Sequence, residues 1–285
     1  MNAVEDALAL IDAWEVGFVA AAVVDSNGLV AQRGDTTQRV RIASLTKPLV
    51  GYAALIAIEE GIVGLDEPIG AIDGVSVPLG LTLRQLLAHA GGYGFDSPDP
   101  LSPPGLRRMY SNTGFELIGR LLAAASEMTI GQYLTDAVLA PLAMTTSSLQ
   151  GSPAKDVWST VSDYTRFVGE LVHPRLIAQS TFDDFVGIQW PELVGVVPGL
   201  GSFRPCPWGL GIEIRGHKVP HWTGLRNSPP TYGHFGGSGT FFWVDPNAAC
   251  GPLGLVCFTD REYGPWSLNA WPALSDAVLT ADRAR

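Results

Sequence analysis

A serine and a lysine stand three positions apart at the start of a long apolar run, in the segment RIASLTKPLVGYAALIAIEEG (residues 41–61). Residues at positions i and i+3 share one face of a helix, so Ser44 and Lys47 can meet near its first turn. A lysine amine beside a serine hydroxyl can remove its proton and make the oxygen a nucleophile. The same serine is typical of a helix N-cap, and the spacing alone allows both interpretations.

A second pair has the same spacing, because Ser152 precedes Lys155 by three residues in SPAKDVWSTVSD. Spacing by itself therefore identifies no nucleophile. Ser152 is followed by a proline and then by a polar stretch, which predicts a loop or a short capped turn. Ser44 opens the most apolar helical segment of the chain, and such a segment gives the rigid support that a preorganised site needs. The sequence favours Ser44.

Two distant segments carry further groups that can transfer protons or form hydrogen bonds. Tyr110 and Asn112 lie in MYSNTGFELIG, and His234 lies near the start of YGHFGGSGTFFWVDP, a strand-like segment. A phenol and an imidazole can serve as acids or bases, and a carboxamide both donates and accepts hydrogen bonds. Each also has an ordinary interpretation: a half-buried tyrosine, the N-cap of a helix over 113–125, and a histidine in a surface turn.

Together, the motifs SLTK, YSN and HFG, in this order, resemble the superfamily of serine β-lactamases and penicillin-binding proteins. The similarity is greatest to its branch of class C β-lactamases, DD-carboxypeptidases and esterases. The stretches LTLRQLLAHAGG, PPGLRRMYSN, VSDYTRFVGEL and WGLGIEI also look like this family, so the resemblance covers most of residues 17–260. It implies a serine hydrolase (EC 3) that acts on an ester, an amide or a β-lactam through an acyl-enzyme.

The resemblance also implies roles for the residues that perform the chemistry. Ser44 is the expected nucleophile, and its backbone N–H is expected to form an oxyanion hole with that of Gly237. Lys47 and Tyr110 are the expected proton-transfer groups, and either of them can be the general base. Tyr110 is also expected to protonate the leaving group.

Three further residues are expected to bind the substrate. Asn112 would orient Lys47 and contact a substrate amide or carbonyl, and Gly236 would let the substrate lie close to the strand edge. His234 stands where the better-known KTG motif has a lysine, and a histidine is only partly charged near neutral pH. Binding of a carboxylate-bearing substrate is therefore expected to be weak, and to fall as the pH rises through about 6 to 7.

These expectations rank the functions that the resemblance implies. Because penicillins and D-alanyl peptides carry a carboxylate, an esterase or a broad amide and ester hydrolase is favoured. A β-lactamase or D-alanyl carboxypeptidase is the alternative. A function of another class is a non-catalytic penicillin-binding or sensing domain, which would be acylated without turnover.

Other patterns argue against metal, cofactor and alternative nucleophile sites. HKVPH places His217 and His221 four residues apart, but Pro220 argues against a helix that would align them on a metal. GGSGT at 236–240 is one residue short of a G-x-S-x-G elbow and precedes a strand, so Ser238 is not expected to be a nucleophile. No phosphate-binding glycine motif is present. We expect no metal and no cofactor, and a small molecule or peptide as substrate.

The composition of the chain excludes other classes of partner. Its 285 residues carry a formal net charge of -10 with only three lysines, which argues against a nucleic-acid or anionic-membrane partner. The first ten residues have no basic side chain and no stretch reaches about 18 apolar residues, so no signal peptide or membrane span is expected. Cys206, Cys250 and Cys257 are expected as free thiols of a cytoplasmic protein. The sequence leaves the oligomeric state open.

The elements that position the site follow from the periodicity of apolar residues. Strands are expected near both ends of the chain, at 17–25, 29–34, 38–42, 208–216, 239–246 and 253–260. Helices are expected at 2–15, 48–60, 112–127, 162–172 and 267–283.

The simplest arrangement of these helices and strands is an α/β protein of the α+β type. An antiparallel sheet of about five strands, flanked by the N- and C-terminal helices, would hold an inserted all-helical subdomain. Residues 1–43 and 206–285 would form the sheet subdomain and residues 44–205 the helical one. The active site is then expected in the cleft between the two. The resemblance implies the same fold.

Overall fold

The computed structural model describes residues 3–70 and 77–285. The predicted first helix and the predicted subdomains also include residues 1, 2 and 71–76, which lie outside the described residues. The helices are α1 (Ala3–Leu8), α2 (Thr46–Glu59), α3 (Leu83–Leu87), α4 (Asn112–Ser126), α5 (Ile130–Leu134), α6 (Val161–Val172), α7 (Gln179–Val186) and α8 (Ser267–Asp282). The strands are β1 (Val19–Asp25), β2 (Gly28–Gly34), β3 (Val40–Arg41), β4 (Ser148–Leu149), β5 (Val157–Ser159), β6 (Gly195–Val197), β7 (Gly201–Phe203), β8 (Glu213–Ile214), β9 (Tyr232–Gly236), β10 (Thr240–Asp245) and β11 (Leu253–Thr259).

The main sheet is antiparallel and combines strands from both ends of the chain. Its order is β2-β1-β11-β10-β9-β8, so the predicted α+β class is confirmed and the sheet has six strands. The predicted strand over 208–216 is reduced to two residues. Gly211 adopts a positive φ of 89°, and the N–H of Gly209 bonds to the carbonyl oxygen of Ile212, so a tight turn replaces the first half of that strand.

Successive residues of the central strands serve two different cores, one on each face of the sheet. In β1, Ala20, Ala22 and Val24 pack in the core that contains α2 and α6. Ala21 and Val23 pack in the core that contains α1 and α8. Side chains of a strand alternate between faces, so a sheet covered on both faces is apolar along its whole length. This explains why β11 is buried at every residue.

In the described part of residues 44–205, helices are the main regular elements, but the segment is not all helical as predicted. β4 and β5 form a small sheet with β3, and β6 and β7 form a hairpin. The small sheet fastens the insertion to the start of α2, because the N–H of Val157 donates to the hydroxyl of Thr46 over 3.0 Å. The division of the chain at residues 43/44 and 205/206 remains a prediction.

Two further observations concern the predictions from composition. Within residues 3–70 and 77–285, no helix combines the length and the apolar character needed to cross a bilayer. Cys206, Cys250 and Cys257 are free thiols, as predicted.

Candidate active site

Ser44 lies in a single 3₁₀ turn, Ala43–Leu45, directly before α2. The N-cap residue of α2 is Leu45, so the Ser44 side chain does not cap the helix and its hydroxyl is available for other contacts. Ala43 adopts a φ of 48°, a conformation that few residues other than glycine adopt. Such strain clusters at functional sites and persists only when the surrounding structure holds it in place.

Lys47 is fully buried, and its amine has three polar neighbours. Its Nζ atom lies 2.7 Å from Asn112 Oδ1, 2.9 Å from the carbonyl oxygen of Ala154 and 3.3 Å from Ser44 Oγ. Burial lowers the pKa of Lys47 to about 7, and the nearby charge of Lys155 acts in the same direction. A large fraction of Lys47 is therefore neutral near pH 7.

Ala154 lies between Ser152 and Lys155, the second serine and lysine pair. The sequence did not favour that pair as catalytic. That segment is a tight turn, in which the N–H of Asp156 bonds to the carbonyl oxygen of Ser152 over 3.0 Å. The carboxylate of Asp156 accepts from the N–H of Ser152 and from Arg41. The loop prediction for Ser152 is consistent with this, but the support that the loop gives to Lys47 was not predicted.

Tyr110 lies beside Ser44, packed between other aromatic rings. Its ring centroid is 4.6 Å from that of His89, and the Lys47 Nζ lies 4.7 Å from the same centroid. Burial raises the pKa of the phenol well above its ordinary value, and a hydrogen bond with Ser44 opposes the shift. Tyr110 therefore stays protonated over the neutral pH range.

Asn112 is the first residue of α4, but it is not the N-cap. Ser111 caps the helix by accepting the N–H of Gly114 over 3.0 Å, so the capping interpretation of Asn112 is wrong. The Asn112 side chain accepts from Lys47 and donates to Asp96 Oδ1 over 2.9 Å. Because a carboxylate oxygen only accepts, the contact with Asp96 fixes which end of the amide faces Lys47.

His234 is the central residue of β9 and does not lie at the start of β10, because a turn at Gly237 to Gly239 separates the two strands. Its Nδ1 atom lies 2.7 Å from the carbonyl oxygen of Phe235, and its Nε2 atom lies 3.4 Å from the Tyr110 hydroxyl. A carbonyl only accepts, so Nδ1 carries the proton and Nε2 accepts in the neutral ring.

The charge of His234 differs from the expectation based on an ordinary histidine. Burial lowers the pKa of His234 to about 3, and the charge of Lys47 lowers it further. His234 is therefore neutral between pH 6 and 7. Its predicted titration over that range is wrong for the substrate-free protein.

The two glycines that follow Phe235 have different surroundings. A Cβ atom on Gly236 would lie 2.4 Å from Thr240 Oγ1, 2.5 Å from the carbonyl oxygen of Ile42 and 3.2 Å from Ala43 Cβ. Gly236 thus allows β9 to pack against the turn that carries Ser44. Gly237 is exposed, and a Cβ atom there would meet no other atom within 4 Å, so it is the glycine that borders open space.

Two cavities meet at Ser44. The first has a volume of about 200 Å³ and aromatic walls that include Tyr110, Trp208 and Tyr263, with His234 beside them. The second is an open groove of about 590 Å³. Asn112, Lys155, Trp158, Arg39, Arg41, Asp260 and Glu262 line this groove. Ser44, Phe95 and Gly237 line both cavities, so a substrate bound at Ser44 can extend in either direction.

Three aromatic side chains of the smaller cavity were not predicted as site residues. Phe95, Trp208 and Tyr263 come from three loops, each outside a helix or strand. The only sequence signal for any of them is the segment WGLGIEI, which looks like the family and begins with Trp208. No spacing rule joins these rings, because they meet only after the chain has folded.

Two of the residues excluded as metal ligands or as an alternative nucleophile, His221 and Ser238, have structural partners, and His217 is exposed. His221 Nε2 lies 3.2 Å from Glu213 Oε1, and the Lys218 amine lies 2.8 Å from the same oxygen. Ser238 donates to the carbonyl oxygen of Arg41 over 2.8 Å. No group of His, Cys, Asp or Glu in the described part of the chain is arranged to hold a metal ion.

Comparisons with known proteins identify the family to which this fold is related. The profile of the beta-lactamase family matches residues 11–279 of the chain. The crystal structure of a beta-lactamase from Mycobacterium bovis is 46% identical in sequence, and the match covers 97% of this chain and 99% of that one with a TM-score of 0.91.

Two more distant solved structures share the fold. A beta-lactamase/D-alanine carboxypeptidase from Yersinia pestis, in complex with citrate, is 18% identical and matches over 99% of both chains with a TM-score of 0.75. EstCE1, a hydrolase with promiscuous acyltransferase activity, is 16% identical and matches over 97% of both chains with a TM-score of 0.76. At these identities the similarity concerns the fold alone.

Proposed function

The chain belongs to the beta-lactamase family of serine hydrolases, and on that premise we propose that it hydrolyses esters and amides through an acyl-enzyme on Ser44. The observation that carries this proposal is the buried amine of Lys47, 3.3 Å from Ser44 Oγ, with two other acceptors around it. A neutral amine has two N–H groups and one lone pair. Asn112 and Ala154 accept the two N–H groups, which leaves the lone pair for the serine proton.

Lys47 is then the general base, and Tyr110 remains a phenol. Ser44 Oγ attacks the carbonyl carbon while its proton moves to the Lys47 amine. The backbone N–H groups of Ser44 and Gly237 stabilise the oxyanion of the tetrahedral intermediate. The bond to the leaving oxygen breaks as Tyr110 donates its proton to that oxygen, and the Lys47 ammonium restores the proton of Tyr110. Water, activated by the same groups in reverse order, releases the acid.

The character of His234 supports esterase activity over activity on substrates that place a carboxylate in the small cavity beside it. A lysine at this position would be a permanent cation, whereas His234 is neutral and presents a lone pair at Nε2. A substrate carboxylate would find an acceptor there and no donor. The aromatic walls of the small cavity also suit an uncharged group.

A β-lactamase or D-alanyl carboxypeptidase is the second candidate. The observation that favours it is the M. bovis chain, which is 46% identical and is described as a beta-lactamase. A non-catalytic penicillin-binding domain is the third candidate, and it would share the acylation step but lack the release of the acid.

Intact-mass analysis after incubation with a fluorophosphonate, a penicillin and 4-nitrophenyl butyrate tests the proposal. We expect a single adduct on the wild type that is absent from Ser44→Ala. Ser152→Ala is the matched control, because it removes the serine of the other pair, and we expect it to be labelled still. Labelling of Ser44→Ala, or none of the wild type, would contradict the proposal.

Steady-state rates then separate the three candidates. Continuous turnover of 4-nitrophenyl butyrate with slow turnover of nitrocefin is expected for the esterase. The reverse preference would identify a β-lactamase, and a single burst followed by an adduct stable for hours would identify a binding domain.

A further inference from the structure

The two cavities that meet at Ser44 differ in size, in enclosure and in charge, and the chemistry assigns one half of the substrate to each. Tyr110 lines only the small aromatic cavity, and Asn112 lines only the open groove. Because the residue that protonates the leaving group must lie beside it, the leaving group enters the small cavity. The acyl chain therefore lies along the groove. This assignment rests on the function proposed above.

Two residues that line the small cavity carry a buried polar atom without a hydrogen-bond partner among the described residues. The indole Nε1 of Trp208 and the hydroxyl of Tyr263 are both buried without a hydrogen bond. His234 adds an acceptor at Nε2 but no positive charge. With about 200 Å³ of space and mainly aromatic walls, the cavity suits a small uncharged group.

The groove has a different electrostatic character because of Lys155. No carboxylate among the described residues lies within 4 Å of the Lys155 amine, so this lysine has no ion-pair partner there. Of the two arginines of the groove, Arg41 pairs with Asp156 at 2.7 Å. Arg39 donates to the neutral hydroxyl of Ser148 and adds a second positive charge without an ion-pair partner among the described residues. The acids of the groove, Asp260 and Glu262, are both exposed.

We propose that the site sorts the two halves of its substrate by charge, with a small uncharged leaving group in the aromatic cavity and an anionic acyl chain beside Lys155. The substrate class is then an ester whose acyl part ends in a carboxylate or another anion. Lys155 is a specificity-determining residue in this arrangement, since it interacts with the far end of the acyl chain and not with the reacting carbonyl.

Three esters with related leaving groups test the proposal. They are 4-nitrophenyl butyrate, which is uncharged, mono-4-nitrophenyl glutarate, with a carboxylate on the acyl chain, and 3-carboxy-4-nitrophenyl butyrate, with a carboxylate on the leaving group. The kcat/KM of each ester is divided by its rate with hydroxide, which removes differences in intrinsic reactivity. The wild type is expected to prefer the glutarate ester over the butyrate about threefold to tenfold. We expect it to disfavour the carboxylated leaving group by at least about tenfold.

Variants of Lys155 separate binding of the acyl chain from an indirect effect on the base. Lys155→Gln is expected to remove the preference for the glutarate ester, and Lys155→Arg to keep it. The charge of Lys155 also affects Lys47, but a change in the base alters the rates of both esters alike. The readout is therefore the ratio of the two kcat/KM values. Arg283→Gln is the matched control, since it removes an exposed cation at the end of α8.

The outcomes distinguish this inference from the function on which it rests. Equal rates for the glutarate and butyrate esters, or a preference that survives in Lys155→Gln, would overturn the sorting by charge and leave the hydrolase proposal intact. Efficient hydrolysis of the ester with the carboxylated leaving group would overturn the assignment of the small cavity. Absence of both an adduct on Ser44 and turnover of any ester would overturn both proposals.

Discussion

The Nζ atom of Lys47 lies 2.9 Å from the carbonyl oxygen of Ala154, a residue 107 positions later in the chain. This contact joins the pair of Ser44 and Lys47 to the loop that contains Ser152 and Lys155. Together with Asn112 it provides two acceptors for a buried amine. The two acceptors stabilise the amine in either protonation state, so its low pKa follows from burial and neighbouring charge and not from a lack of partners.

The pH dependence of acylation should report the protonation state of Lys47. A base must be deprotonated to act, so kcat/KM for 4-nitrophenyl butyrate is expected to rise with pH and to level off above about 7. His234 is not expected to titrate in this range, because its pKa is lowered to about 3. A profile measured from pH 5 to 9 on the wild type and on His234→Asn should show the same ascending limb. Loss of that limb in His234→Asn would assign it to the histidine.

Changes in charge next to Lys47 should move this profile in opposite directions. Asn112→Asp places a carboxylate beside the amine, favours the ammonium and is expected to shift the midpoint upward by about one pH unit or more. Asp96 raises the pKa of Lys47 through its charge, so Asp96→Asn is expected to shift the midpoint downward. The profiles of both variants with the same neutral ester provide the measurement. Shifts of the same sign would show that another group is the base.

The elements with strong apolar periodicity were predictable from the sequence. The early hairpin and the strands at 239–246 and 253–260 appear in the main sheet, and α2, α6 and α8 overlap the predicted helices. The strand over 208–216 was overestimated, because its alternation of apolar residues does not reveal that Gly211 turns the chain. The short strands of the insertion were missed, since two or three residues are too few for a periodic pattern.

Side-chain motifs predicted part of the candidate site. Other features of the site could not be predicted, because no sequence pattern encodes them. Ser44, Lys47 and Tyr110 lie together, and two of the three short motifs supply them. The carbonyl oxygen of Ala154 is a backbone atom, which any residue type supplies equally. The neutral state of His234 depends on burial by distant segments, and no local pattern encodes that burial.

The different surroundings of Gly236 and Gly237 predict different effects of the same substitution. Gly236→Ala would place a methyl group against Thr240 and the turn before Ser44, so it is expected to lower the free energy of unfolding by about 1 to 3 kcal/mol. Gly237→Ala meets no atom and is expected to leave stability within about 0.5 kcal/mol of the wild type. Urea unfolding of the two variants measures these differences.

The KM for an ester substrate should also distinguish Gly236→Ala from Gly237→Ala. Gly237→Ala is expected to fold normally but carries a methyl group into the space between the two cavities, so its KM for 4-nitrophenyl butyrate is expected to rise. An unchanged KM would indicate that Gly237 does not contact substrate. A Gly236→Ala variant with normal stability would show that β9 does not pack tightly on the turn that carries Ser44.

A buried ion cluster behind the aromatic cavity is expected to be a large contributor to stability. Glu213 accepts from Lys218 at 2.8 Å, from His221 at 3.2 Å and from Trp222 at 2.8 Å, and all four residues are almost fully buried. Glu213→Leu leaves the buried ammonium of Lys218 without its counter-charge, and it is expected to cost about 3 to 5 kcal/mol of unfolding free energy. The double variant Glu213→Leu/Lys218→Met removes both charges and should cost less than the single one.

The pH dependence of stability should show the contribution of this cluster with a definite sign. The charge of Lys218 and the hydrogen bonds from Lys218 and His221 hold the pKa of Glu213 well below its ordinary value of 4.5, despite the opposing effect of burial. A carboxyl group with a lowered pKa in the folded state stabilises the fold above its unfolded pKa, and this contribution is lost as the pH falls below it. The wild type is therefore expected to lose stability below about pH 4.5 more steeply than the double variant. Urea unfolding of both proteins between pH 3.5 and 7 provides the comparison, and parallel curves would show that Glu213 is not ionised in the folded protein.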